Sequence, residues 1–178
     1  MILTVGHSAH PARRFATLLR EAGVGTVVDV RRYPGSRRHP QFRRSELERW
    51  LPQHGISYRF EGDRLGGQRD EHDGDRHPAL LPGLAGYADH MTTASFTQAA
   101  DELAERAAAG TVAVMCAEAD PTRCHRWLLS DALALLRGLD VLHLGPDGST
   151  TPHAPSSAAR VDAGQIVYDV AVDRPLPF

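Results

Sequence analysis

Apolar residues in this chain change period several times, and each change marks an element. Ile2 to Val5 is a short apolar run that ends at Gly6-His7-Ser8. Beyond Pro11, the apolar positions Phe15, Leu18, Leu19 and Ala22 fall at helical spacing, with Gly23 as a stop. Thr26 to Val30 is β-branched and nearly continuous, the pattern of a strand covered on both faces. A second helix is predicted from Ser45 to about His54, with Ser45 as its cap and Glu48 three residues on. Ile56 to Phe60 reads as a third strand. Residues 61–83 hold five glycines and two prolines among mixed charges, and read as a long irregular loop with a functional or mobile role. Helical patterning returns near Leu84, and a further helix covers Phe96 to Ala109, closed by Gly110. Thr111 to Met115 is the clearest strand. A helix through Trp127, Leu128, Leu129, Leu133 and Leu136 ends at Gly138, and Val141 to Leu144 is a strand.

Strand and helix thus alternate through most of the chain. That order predicts an α/β fold of the Rossmann-like class, with a mainly parallel sheet flanked by helices. The tail breaks the pattern: Pro146-Asp-Gly148 and Ala163-Gly164 are turn signals, with Ile166 to Tyr168 beside them. The expected organisation is one α/β domain over residues 1–145, and a β-hairpin-like extension over 146–178 packed on it.

Composition narrows the chemistry. The 178 residues carry a net charge of −2, so general attraction to nucleic acid or membrane is not expected and polyanion binding would need a local patch. All 20 basic residues are arginine, which removes Schiff-base and lysine general-base chemistry. No run is apolar and long enough to span a bilayer, and the chain opens directly into a strand-like run, so a cytoplasmic protein without a membrane partner is expected. In that compartment the two cysteines read as reduced, metal-bound or catalytic rather than as a disulfide.

Ligands of open parallel sheets bind beyond the carboxyl ends of the strands. Three predicted strand ends carry polar residues: Gly6-His7-Ser8, Asp29-Val30-Arg31 and Cys116-Ala117-Glu118. Asp120-Pro121 is a good helix start, which puts Cys124, His125 and Arg126 in or just after a first turn, where anions and thiolates are favoured. Three readings stay open: a reactive cysteine beside His125, a metal held by Cys116, Cys124 and His125 with a distant fourth ligand, and two small buried apolar residues. A strand-end cysteine before a loop, an arginine and a helix has a weak likeness to the rhodaneses and cysteine phosphatases, but the count departs from theirs: six residues separate Cys116 from Arg123 and none is glycine.

The stretch from Arg31 to Arg44 has six arginines with Tyr33 and Phe42 between them. Arginine forks suit phosphates and the aromatics suit bases; the competing reading is a solvated loop. Arg31 and Ser36 lie nearest the strand end and are the preferred ligand-binding residues. His7 either orients a ligand or bonds the backbone. Asp29, flanked by apolar residues, pairs with an arginine or is functional. Leu65-Gly66-Gly67 is too short for a phosphate loop, the acidic stretch Asp70 to Asp75 reads as surface, and His90, His143 and Trp127 read as structural.

Several motifs together resemble the domain of unknown function 488 family: Thr4-Val-Gly-His-Ser8, Val28-Asp-Val-Arg31 with Pro34 and Ser36, Leu65-Gly-Gly67, Tyr87-Ala-Asp-His-Met91, and Met115-Cys-Ala-Glu118 with Cys124-His-Arg126. They run in the family's order over about residues 1–144. The resemblance implies an α/β fold and makes the cysteine motif the reason to suspect an enzyme, and it supplies no reaction. It carries over His7, Ser8, Arg31, Cys116, Glu118, Cys124, His125 and Arg126.

The expectation is a Cys/His/Arg site acting on a phosphate-bearing ligand, such as a nucleotide or a nucleic-acid end. Cys116 or Cys124 does the chemistry, His125 or Glu118 carries the proton, and His7, Ser8, Arg31, Ser36 and Arg126 bind the ligand. The alternatives are a divalent-metal module through Cys116, Cys124 and His125, and a nucleic-acid binder working through the arginine loop.

Overall fold

The computed structural model describes residues 1–70 and 76–170. Five strands, β1 (Ile2–Gly6), β2 (Thr26–Asp29), β3 (Ser57–Phe60), β4 (Val112–Cys116) and β5 (Val141–Leu144), pair in parallel. A sixth, β6 (Thr150–Pro152), runs antiparallel on β5, giving the order β3-β2-β4-β1-β5-β6. The expected mainly parallel sheet is present, and so is the hairpin: β7 (Ala159–Asp162) and β8 (Gln165–Tyr168) form a separate antiparallel pair.

Side chains alternate across each strand, so the sheet divides the core in two. Leu3, Val5, Val27, Ala113 and Met115 face α1 (Ala12–Glu21) and α2 (Arg44–Trp50). Ile2, Val28, Val112, Val114 and Cys116 face the other layer, built from α4 (Pro82–His90), α5 (Ala94–Ala109) and α6 (Arg126–Arg137). The hairpin adds Ile166 and Tyr168 to that second layer, and the Tyr168 hydroxyl donates to Asp131 of α6 at 2.9 Å.

Four local expectations change. The second helix stops at Trp50, and Pro52–His54 is a separate 3₁₀ turn, because proline cannot donate to the helix ladder. Ser45 is not its cap: Arg43 holds that position, without a side-chain hydrogen bond. The stretch 61–83 is not wholly irregular, since α3 (Gly62–Leu65) and the start of α4 lie within it. Asp120 does cap a turn, accepting from the Thr122 N–H at 2.9 Å, but that turn is 3₁₀ and ends at Arg123. Of the acidic stretch, residues 71–75 lie outside the described residues. Among the described residues, no helix is long and apolar enough to cross a membrane.

Candidate functional site

The order of the sheet makes β4 a switch point. Its neighbours β1 and β2 both lead into helices of one layer, whereas β4 leads into α6 of the other. Chains leaving adjacent strands in opposite directions open a crevice at their carboxyl ends. The three polar strand ends meet there: the His7 and Ser8 N–H groups donate to the carbonyls of Cys116 and Ala117, each at 2.9 Å, and the Val30 N–H donates to Met115 at 3.0 Å.

The loop after β4 folds back closely over β1. A Cβ on Gly6 would lie 1.9 Å from the Glu118 carbonyl oxygen, so only glycine permits that path. The same carbonyl accepts from the Arg126 guanidinium. Cys124 then has an extended backbone (φ −147°, ψ 145°), His125 precedes α6, and Arg126 is the first helical residue. Cys124 therefore does not sit in the first turn of a helix, as the sequence suggested, but in the link between a 3₁₀ turn and α6.

This link brings the cysteines together. The two Sγ atoms and the His125 ring nitrogen lie within 4.8 Å of one another, and Cys124 Sγ is 3.7 Å from His125 Nδ1. His125 Nε2 is 3.1 Å from the Val30 carbonyl, which can only accept, so Nε2 carries the hydrogen and Nδ1 presents a lone pair to the sulfur. Gly67 packs against this ring, since a Cβ there would meet Nδ1 at 2.7 Å.

The two thiols are shifted in opposite directions. The Cys116 S–H donates to Cys124, which together with burial raises the Cys116 thiol. That hydrogen bond, with the His125 ring and the charge of Arg126 beside it, drives the Cys124 thiol well below its ordinary value against the opposing effect of burial. Two sulfurs and Nδ1 are also a plausible donor set for a zinc-like cation, with Nε2 tethered to a carbonyl and a fourth position left for a ligand.

Above the sulfurs lies a cleft of about 410 Å³. Arg31, Arg32, Arg69 and Arg123 line it, as do Tyr33, Gln68, Leu84 and Glu118. Arg69 and Arg32 repel one another, which adds to burial in lowering the Arg69 pKa. Cations crowded around an open cleft raise the energy of the empty site, and a bound anion relieves it.

Two buried arginines of the site differ. Arg31 grips Asp29 through Nε to Oδ1 at 2.8 Å and NH2 to Oδ2 at 2.5 Å, and donates to the Phe42 carbonyl at 2.8 Å. Its NH1 lies 3.0 Å from His7 Nε2. His7 Nδ1 donates to the Ser8 carbonyl at 2.9 Å, so Nε2 is the acceptor; burial and then the Arg31 charge hold this neutral imidazole down to about 4. Tyr58 also donates to Asp29, at 2.8 Å. Arg126 is 1% exposed, pairs with no carboxylate among the described residues, and leaves its Nε without a partner. Its NH1 donates to Thr4 Oγ1 at 3.4 Å.

The chain belongs to the DUF488 family. The family model, described as a domain of unknown function, matches residues 11–133 and so spans the strand ends of β2 and β4 with the whole cysteine segment. No curated protein and no solved structure matches the chain.

Of the family-motif residues, Arg31, Cys116, Glu118, Cys124 and His125 line the cleft. His7 and Arg126 do not line it and are both buried. Ser8 does not line it, although its backbone is held at a positive φ of 44° at the end of β1. Ser36 does not either: its hydroxyl accepts from the His39 N–H at 2.9 Å within the arginine loop. Phe42 is fully buried and stacks on His7 at 4.2 Å, so it is not free to stack on a base. Sequence reasoning did not select Arg32, Gln68 or Arg69 as site residues. Leu65-Gly66-Gly67 was the signal for the last two, through the close packing that glycine allows rather than through phosphate binding.

Proposed function

We propose that this protein is an enzyme in which Cys124 and His125 act as a nucleophile and proton carrier on a phosphate-bearing ligand held by the arginines of the cleft. The observation that carries this reading is the approach of Cys124 to His125 Nδ1 on the floor of an arginine-lined cleft, above the buried and unpaired Arg126. A buried guanidinium does not lose its proton, so the site must supply negative charge to balance it. A Cys124 thiolate meets that need directly.

The Cys124 proton passes to His125 Nδ1, while Nε2–H stays on the Val30 carbonyl. The thiolate attacks the electrophilic phosphorus or carbon of the ligand. As the S–P or S–C bond forms, the bond to the leaving group breaks, and Nδ1–H protonates the departing atom. Water then cleaves the S–P bond, or the thioester where the carbon attacked is an acyl carbon; it gives its proton to His125, and the thiolate leaves as the second product departs. Glu118, exposed at the rim, is the alternative proton carrier.

Alkylation of tag-free protein across pH, read by mass spectrometry, tests this. Cys124 is expected to react with a midpoint well below that of an ordinary thiol and Cys116 to lag behind it. Inorganic phosphate should slow the reaction. Ordinary thiol midpoints for both cysteines would remove the nucleophile. A second reading, a metal centre on Cys116, Cys124 and His125, is favoured by the closeness of their three donor atoms. It requires stoichiometric metal in the same preparation, and alkylation that begins only after chelation.

A further inference from the structure

We propose that Tyr33 and Gln68 form a nucleobase subsite at the mouth of the cleft, so that the ligand is a nucleoside monophosphate unit. This rests on the reading of the arginine cleft as a phosphate site.

Tyr33 is the most exposed large hydrophobic side chain among the described residues, at 70%, and it lines the same cleft as the cysteines. An aromatic ring left in water at the edge of a charged cleft offers a face for stacking, which tolerates any base. Arg32 links this ring to Gln68. Its guanidinium lies 5.7 Å from the Tyr33 ring centroid, and its NH1 donates to the Gln68 carbonyl at 2.6 Å. The arginine thus holds the ring and the Gln68 backbone side by side.

Gln68 has a positive φ of 57°, a conformation that costs a non-glycine residue free energy and persists where its surroundings demand it. Its side chain is exposed at the cleft, and an amide offers both a donor and an acceptor to the edge of a base. Leu84 from α4 adds an apolar wall to the same cleft. Arg69 is fixed by the carbonyls of Gly66, at 2.9 Å, and Asp63, at 2.5 Å. It is the cation that receives the phosphate in the cleft shared by Tyr33, Gln68 and the thiols. A stacking ring and an amide for the base, with a fixed arginine for the phosphate, around one cleft match the two recognisable ends of a nucleotide.

The test measures protection of Cys124 from alkylation, with binding by calorimetry, for inorganic phosphate, ribose 5-phosphate and adenosine 5′-monophosphate. The monophosphate is expected to bind at least about tenfold more tightly than ribose 5-phosphate. Tyr33→Ala should remove that advantage while leaving phosphate affinity unchanged, and Tyr33→Phe should keep it. Equal binding of the two ribose compounds, or an advantage that survives Tyr33→Ala, overturns the subsite alone. If none of the three binds or protects, the phosphate site falls and the subsite with it. A 5′-phosphorylated dinucleotide distinguishes the sources: tighter binding than the monomer points to strand ends, weaker binding to free nucleotides, and either result upholds the subsite.

Discussion

Arg31 and Arg126 are both buried within this site, at 7% and 1% exposure, yet the fold treats their charges in opposite ways. Arg31 has a carboxylate, a carbonyl and an imidazole as partners, and Asp29 in turn receives the Tyr58 hydroxyl. Arg126 has one carbonyl and a distant hydroxyl. The nearest link to a carboxylate runs through a chain of hydrogen bonds. Thr4 Oγ1 is 2.7 Å from His143 Nδ1, His143 Nε2 is 3.0 Å from His153 Nδ1, and His153 Nε2 is 2.9 Å from Asp131. Because Asp131 only accepts, each proton has one place: His153 donates to Asp131, His143 to His153, and Thr4 to His143. Arg31 is thus a structural clamp with its charge cancelled on the spot. Arg126 keeps a charge that the neighbouring sulfurs feel.

The sharpest way to break this contrast is to remove the carboxylate of the clamp. Asp29→Ala strands Arg31 in the core and is expected to cost about 3–5 kcal/mol in urea unfolding. A loss under about 1 kcal/mol would mean that Arg31 is not clamped. Acid comes next, because each arginine is attended by a neutral histidine. His7 and His143 are both held down to about 4 by burial first, with Arg31 and His153 adding to it. The folded protein therefore binds fewer protons than the unfolded chain between about pH 6.5 and 4. Stability is full above that window and falls as pH drops through it, by on the order of 3 kcal/mol per histidine. His7→Gln keeps both hydrogen bonds but does not titrate, and should flatten the curve by one histidine's share. Superimposable curves would refute the assignment.

Arg126→Met tests the other half of the contrast. Loss of an unpaired buried charge to an apolar side chain should leave stability within about 1 kcal/mol or raise it. The Cys124 alkylation midpoint should rise, because the Arg126 charge that favours the thiolate is gone. An unmoved midpoint would show that Arg126 does not act on the thiol. The smallest effect is expected on the surface. The Arg49–Glu46 pair is 62% and 38% exposed, so Arg49→Ala should change stability by under about 0.5 kcal/mol. A larger loss would blur the distinction between buried and exposed arginines on which the comparison depends.

Much of this was legible in local pattern. The runs at Ile2, Thr26, Val112 and Val141 became strands because each is mostly apolar and largely buried on both faces. Their polar ends could be grouped in advance, since parallel strands deliver their loops to one edge. The setting of Cys124 was misread for an equally local reason. Asp120-Pro121 starts a 3₁₀ turn as readily as an α-helix, and nothing within the segment shows that the turn will end at Arg123.

The sequence by itself determined the element types, the strand-end loops and the residue kinds available to the site, because apolar period and turn chemistry are properties of short segments. Only the tertiary structure decided that β4 lies between β1 and β2 and that Cys116 faces the α6 layer. It also decided that Gly67 meets His125, that Asp29 rather than solvent answers Arg31, and that Arg126 is left without a carboxylate among the described residues. Strand order and charge pairing depend on which surfaces become buried together. Residues such as Arg31 and His7, or Arg32 and Gln68, lie too far apart along the chain for any local pattern to link them.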